Sequence, residues 1–109
     1  MSIAGKYRHF KGKEYEAIGE ALVLGEDVLY VLYRQLYAPY SLWIRPKVMF
    51  IGYKEVDGKK IKRFEKVSEK KDTDIDGSDC VGLIAIHSET KKEYRVYSKN
   101  DNLFQLKLC

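Results

Sequence analysis

Apolar and polar residues alternate with a period of two along most of this chain, which is the pattern of strands with one buried face. The pattern predicts strands over residues 6–10 and 14–24. A short, continuous apolar run over 28–33 indicates a central strand that is buried on both faces. A fourth strand is expected over 42–45, where Pro46 ends it because proline cannot donate to a sheet.

The rest of the chain continues the β pattern. Residues 47–50 are expected to form one helical turn, after which 51–56 and 59–64 form a hairpin. Asp57-Gly58 is the strongest local signal, because this dipeptide favours the type I′ turn of two-residue hairpins. After a charged stretch, three further strands are predicted over 80–86, 93–98 and 103–108. One alternative stays open, a helix over 14–24, since Tyr15, Ile18, Ala21 and Leu22 also fall at helical spacing.

These elements predict an all-β fold, a small SH3-like barrel followed by a β extension. The expected organisation is a barrel domain over 1–67 that closes near Phe64, a charged linker or loop over 68–79, and the extension over 80–109. The expected core residues are Leu22, Val31, Leu32, Trp43, Ile44 and Phe50.

The apolar spacing of the extension resembles that of the first part. Residues 21–33 and 85–97 have the same apolar spacing, and the pair Leu42-Trp43 is matched by Leu103-Phe104. One interpretation is a truncated second copy of the same half-barrel; the other is that two hairpins simply look alike. Three strands alone are marginal, so 80–109 should either complete the first barrel or pair with a neighbouring chain as a homodimer.

Two motifs resemble a known family. Gly5-Lys6-Tyr7-Arg8-His9-Phe10-Lys11-Gly12 and, later, Trp43-Ile44-Arg45-Pro46-Lys47-Val48-Met49-Phe50 are similar to the Gly-x-Tyr-x-His-Phe-Lys-Gly and Trp-Val/Ile-Arg-Pro-x-x-Met-Phe motifs of the bacterial family called domain of unknown function 1653. The resemblance covers about residues 1–67. It implies a compact β domain and brings no established activity.

Composition and charge narrow the function classes. The chain has 109 residues, of which 45% are hydrophobic and 33% charged, a globular composition. Two cysteines, no signal-peptide pattern and no long apolar run lead us to expect a soluble, cytoplasmic protein with no membrane partner. Residues 1–67 hold 13 basic and 8 acidic residues, a net of +5, whereas 68–109 hold 7 and 8, a net of −1. The first part should therefore attract anions.

Catalytic and metal-binding patterns are weak. No nucleophile, phosphate-loop or dinucleotide motif is present, so we expect a non-enzymatic protein without a cofactor or a metal. A Cys–His pair from Cys80 or Cys109 with His9 or His87 stays open, because such partners meet only in space. The segment 72–77 matches the first half of a calcium loop but lacks the second half, which favours a solvated acidic linker.

Aromatic and basic residues form the candidate ligand site. Rings stack on bases or pack on prolines, and guanidinium groups take phosphates. The predicted site residues are Tyr7, Arg8, His9, Arg34, Tyr37, Tyr40, Trp43 and Arg45. Arg34 and Arg45 are the first choices for phosphate, although Arg45 also fits a structural role at the Pro46 turn, and Trp43 a core anchor.

The expected function is a non-enzymatic binding domain for an anionic, nucleotide-containing ligand, either a sequestered small molecule or RNA. The alternative is an SH3-type adaptor that reads an extended peptide through Tyr7, Tyr37, Tyr40 and Trp43.

Overall fold

The computed structural model describes residues 3–69, 78–101 and 103–109. Ten strands and two short helical turns lie within these ranges, and no helix there is long and apolar enough to cross a membrane. The strands are β1 Gly5–His9, β2 Glu14–Val23, β3 Leu29–Gln35, β4 Leu42–Pro46, β5 Tyr53–Val56, β6 Lys59–Lys62, β7 Phe64–Glu69, β8 Ile84–His87, β9 Glu93–Asn100 and β10 Leu103–Leu108. The helical turns are α1 Lys47–Phe50 and a 3-10 turn at Ser78–Cys80. The predicted all-β class is confirmed, and the predicted helical alternative for 14–24 is wrong.

Six strands close into a hydrogen-bonded ring in the order β2, β3, β4, β8, β9, β10 and back to β2. Two antiparallel meanders, β2–β4 and β8–β10, meet through the parallel pairs β4–β8 and β10–β2. The prediction that the first part closes its own barrel near Phe64 is therefore wrong. β7 begins at that residue but pairs with β1. The barrel closes instead where β4 is hydrogen-bonded to β8 and β2 to β10.

The two meanders are related by an internal two-fold arrangement. Ala21 lies opposite Tyr30 in the first meander, as Ala85 lies opposite Tyr94 in the second. The parallel junctions repeat in the same way, since Leu42 is the partner of Ala85 and Phe104 is the partner of Ala21. The second meander thus repeats the strand register of the first, and it completes the barrel of its own chain. Whether it is a second copy of the half-barrel stays a prediction.

The ring encloses a continuous apolar core. Strand alternation sends every second side chain inward, so β3 contributes Tyr30 and Leu32 to the interior and turns Val31 and Tyr33 outward. The interior residues from all six strands and the 3-10 turn are Ile18, Ala21, Val23, Tyr30, Leu32, Leu42, Ile44, Cys80, Ala85, Tyr94, Val96, Phe104 and Leu106.

A second core lies outside the ring, on the outer face of the β2–β4 meander. β1 and β7 extend the sheet beyond β2, and α1 follows β4. Together they bury an outer aromatic cluster composed of Tyr7, Ala17, Val31, Tyr33, Phe50 and Phe64, with Ile3, Tyr15 and Trp43 packed against it. The Phe50 and Phe64 rings stack with their centroids 4.3 Å apart. β3 is therefore buried on both faces, as its apolar run predicts.

Of the six predicted core residues, Val31, Leu32, Ile44 and Phe50 are fully buried. Leu22 and Trp43 are only half-buried, because both lie on the outer face of the ring, where cover is incomplete. The predicted hairpin and its turn are confirmed: Asp57 and Gly58 have φ values of 51° and 78°, as a type I′ turn requires. The calcium-loop fragment over 72–77 lies outside the described residues.

Replacement of one leucine in β10 tests whether this strand is part of the main core. Leu106 is fully buried, and Leu106→Ala should destabilise the protein by about 2–5 kcal/mol in denaturant unfolding, because the cavity remains in the barrel. Leu108→Ala is the matched control, since Leu108 is 55% exposed two residues further on. A small effect at both positions would contradict the closed barrel.

Candidate functional site

His9 lies at the start of a tight turn that joins β1 to β2. Its backbone amide donates to the Lys13 carbonyl at 2.7 Å, and Gly12 follows with a φ of 99° that suits glycine. The Lys11 amide donates to the imidazole Nδ1 of His9 at 3.2 Å. Because Nδ1 accepts this bond, the neutral ring carries its proton on Nε2 and can donate from there.

The ring of His9 is half-buried against aromatic neighbours and cations. It packs against Phe10 and Phe64 with centroid distances of 4.4 and 4.9 Å. Burial, strengthened by repulsion from Arg45, Arg63 and Lys11, lowers the pKa of His9 from 6.5 to about 4. At neutral pH the imidazole is therefore uncharged in a strongly positive environment.

A cleft of about 250 Å³ opens beside this ring, between the β1–β2 turn and β6. It is lined by Arg8, His9, Phe10, Gly12, Ile61, Lys62 and Glu65. Arg63 follows directly in the chain and accepts a backbone hydrogen bond from Phe10 at 3.0 Å. The Nε of Arg63 is buried and has no hydrogen-bond partner among the described residues. The positive charge of Arg63 is near enough to His9 to contribute to its lowered pKa.

Arg45 fills a structural position close to His9. Its Nε donates to the Tyr33 hydroxyl at 3.3 Å, and its Nη1 pairs with Glu89 at 3.3 Å. Its guanidinium also lies over the Phe64 ring, 5.6 Å from the centroid. Since Glu89 follows β8, this side chain ties the second half of the chain to the outer aromatic cluster.

Tyr37 and Trp43 are also held by neighbours. The hydroxyls of Tyr37 and Tyr15 are 2.6 Å apart, and burial together with this hydrogen bond raises the pKa of Tyr15. The indole Nε1 of Trp43 donates to Gln35 at 2.7 Å, and Lys91 lies over its ring at 5.1 Å. Both aromatic residues thus have fixed orientations on the outer face.

Arg34 does not join this group. Alternation along β3 places it on the interior side, where its Nη2 lies 3.7 Å from the Cys80 sulfur and 4.0 Å from an Asp79 oxygen. Arg34 and Arg45, predicted together near the loop that follows β3, therefore lie on opposite faces of the sheet.

The remaining predicted site residues have three different environments. Tyr7 is buried in the outer aromatic cluster, and its hydroxyl donates to the Ile3 carbonyl at 2.8 Å. Arg8 is exposed and pairs with Glu14 at 3.2 Å. Tyr40 is 58% exposed on the loop between β3 and β4.

The structure thus brings together Arg8 and His9, with Arg45 close enough to influence the imidazole. Phe10, Lys62 and Arg63 complete this region and were missing from the predicted site. Phe10 stands in the first motif and the two cations end the basic hairpin, so both signals were in the sequence, but neither shows that β6 meets the β1–β2 turn. In the described part of the chain, no group of three or more histidine, cysteine, aspartate or glutamate residues is suited to hold a metal ion.

A closed six-stranded barrel with an outer aromatic layer defines a small all-β barrel protein. Residues 5–66 match the model of the family described as protein of unknown function DUF1653, and the chain belongs to that family. It is similar to the crystal structure of a DUF1653 protein from Bordetella bronchiseptica, with 28% identity and a TM-score of 0.56; the match covers 62% of this chain and 90% of that one. No curated protein matches it significantly. β8–β10 lie beyond the family match.

The low pKa of His9 makes a prediction about stability. Its proton affinity is lower in the folded than in the unfolded chain, so the neutral ring stabilises the fold above pH 6.5, and this contribution is lost as the pH falls towards 4. His9→Gln should flatten the decline of the unfolding free energy between pH 6.5 and 4. An NMR titration of His9 in the parent protein with a midpoint near 6.5 would contradict this interpretation.

Arg45 and Arg8 form a matched pair for testing structural roles. Arg45→Gln should cost about 1–3 kcal/mol in urea unfolding, since its side chain is only 13% exposed and it bonds to two partners. Arg8→Gln should cost under about 1 kcal/mol, because its ion pair is exposed. Equal, small losses would show that the Arg45 contacts do not hold the native state.

Proposed function

We propose that this protein is a non-enzymatic binding domain for an anionic, nucleotide-containing ligand, with the phosphate held in the cleft beside His9. The observation that carries this proposal is a cleft lined by Arg8, His9 and Lys62, with the charge of Arg63 near enough to His9 to contribute to its lowered pKa. A phosphate oxygen would accept from Lys62, from the guanidinium of Arg63 and from the Nε2–H of His9.

The electrostatics of the region support an anion. His9 stays neutral there at physiological pH, so it adds a hydrogen-bond donor without adding its own charge. Glu65 is the acidic residue among those that line the cleft, and Arg8 and Lys62 are the two basic ones. Arg8 is already paired with Glu14, so Arg63 and Lys62 are the principal phosphate ligands in this proposal.

The size of the cleft supports a phosphate and a small part of what is attached to it. A volume of about 250 Å³ is below the usual range for complete small-molecule pockets. Phe10, which lines the cleft, is half-buried and provides an aromatic side chain for the attached group. The rest of a nucleotide would lie outside the cleft, on the surface of the first part.

The SH3-like interpretation rests on strand order. β7, β1, β2, β3 and β4 follow one another in one curved sheet, and the helical turn α1 lies between β4 and β7, as in SH3-type barrels. The peptide-adaptor function remains the alternative prediction. Among its four residues Tyr40 is exposed, Tyr37 and Trp43 are half-buried and Tyr7 is buried.

Phosphate dependence is the direct test. Isothermal titration at low salt should show binding of a nucleoside monophosphate and at least tenfold weaker binding of the matching nucleoside without phosphate, since the charged contacts are lost. Mass spectrometry of material released from the natively purified protein should find a phosphate-bearing compound.

Arg63→Gln should weaken nucleotide binding about tenfold or more. Arg95→Gln is the control, because it removes the same charge from β9, which lies opposite β3 in the ring. Two results would contradict the proposal and favour the peptide adaptor. One is binding of the nucleoside as tight as that of the nucleotide, and the other is no binding by the parent protein at low salt.

A further inference from the structure

The β5–β6 hairpin is an exposed basic arm. All eight residues of its two strands are exposed, and among the described residues these strands pair only with each other. Residues 53–63 hold five basic and two acidic residues, a net charge of +3. None of the ion pairs formed within the described ranges involves them.

One face of this arm continues the cleft. Tyr53 lies directly opposite Lys62, and Glu55 opposite Lys60, so these four side chains share a face. Lys62 also lines the cleft beside His9. Lys60 lies about 7 Å further along the same strand. This face therefore carries Lys62 and Lys60 outward from the cleft, with Glu55 as its one acidic residue, and we call Lys62, Tyr53 and Lys60 the hairpin track.

The aromatic ring of the track is available for stacking. Tyr53 is 60% exposed and makes no ring contact with another aromatic residue in the described part of the chain. An exposed tyrosine flanked by lysines is suited to an unpaired base, whose faces are open, and not to a base inside a duplex.

We propose that the hairpin track binds the sugar–phosphate backbone of a single-stranded nucleic acid, with one phosphate in the cleft, one at Lys60 and a base against Tyr53. The inference rests on the proposed function and deepens it, since it selects a polynucleotide over a free nucleotide. The cleft is too small for more than one phosphate and its attachment, and the track provides the next contacts in line.

The test compares a nucleoside monophosphate with a 5′-phosphorylated RNA octanucleotide, by titration between 50 and 200 mM NaCl. At 50 mM NaCl the octanucleotide should bind at least tenfold more tightly than the monophosphate. Lys60→Gln should reduce its logarithmic salt slope by about 0.7, the value for one phosphate contact on a single strand, and should leave the monophosphate affinity unchanged.

Two matched variants separate the track from general attraction. Lys59→Gln removes the same charge from the adjacent residue on the opposite face of the hairpin and should change the salt slope less. Tyr53→Ala should weaken octanucleotide binding about fivefold or more, whereas Tyr53→Phe should keep the affinity because stacking needs only the ring.

Four results would overturn the inference. If the monophosphate binds and the octanucleotide binds no more tightly, the cleft is a nucleotide site and the track is not used. Equal effects of Lys59→Gln and Lys60→Gln, with none for Tyr53→Ala, would indicate unspecific attraction. If an acidic peptide binds as tightly as the octanucleotide and loses affinity with the same substitutions, the arm binds a protein and not a nucleic acid. If neither the nucleotide nor the octanucleotide binds, both this inference and the proposed function are wrong.

Discussion

The β2–β4 meander is apolar on both faces, and most of the structure follows from the need to cover both. β3 carries the constraint most clearly, because Tyr30 and Leu32 face one way and Val31 and Tyr33 the other, all four buried. A strand of this kind cannot lie at a solvent-facing surface without exposing large apolar area to water. The inner face is covered by β8–β10, and the outer face by β1, α1 and β7.

The same constraint positions the candidate site. A register shift in β2 between Ala17 and Gly19 lets this strand serve both cores, since Ala17 faces the outer aromatic cluster and Ala21 the interior. The N-terminal part of β2 therefore stays with β1, whose turn carries His9. Phe64 anchors the start of β7 in the outer cluster, and so holds the base of the β5–β6 hairpin beside that turn. The cleft is a consequence of how the outer core is closed.

The two meanders of the barrel share the same strand register but differ in what packs against their outer faces. Residues 21–23 and 85–87 occupy equivalent positions, yet Val23 is replaced by His87 in the second half, where it lies 5.5 Å from the Tyr30 ring. Among the residues that the structure describes, only the first meander bears an added aromatic layer with charged residues at its rim. The internal symmetry thus supplies the closed scaffold, and the asymmetric additions supply the candidate chemistry.

Period-two alternation, the apolar run of β3 and the Asp57-Gly58 turn were enough to predict the all-β class and most strands, because these signals act between residues close in the chain. The matching of 21–33 with 85–97 even pointed to the second half-barrel. Sequence alone could not show that β10 would pair with β2, or that Arg34 and Arg45 would lie on opposite faces. Strand partners and the meeting of β6 with the His9 turn depend on contacts between distant residues, and only the tertiary structure decides those, because burial of both faces of one meander selects them together.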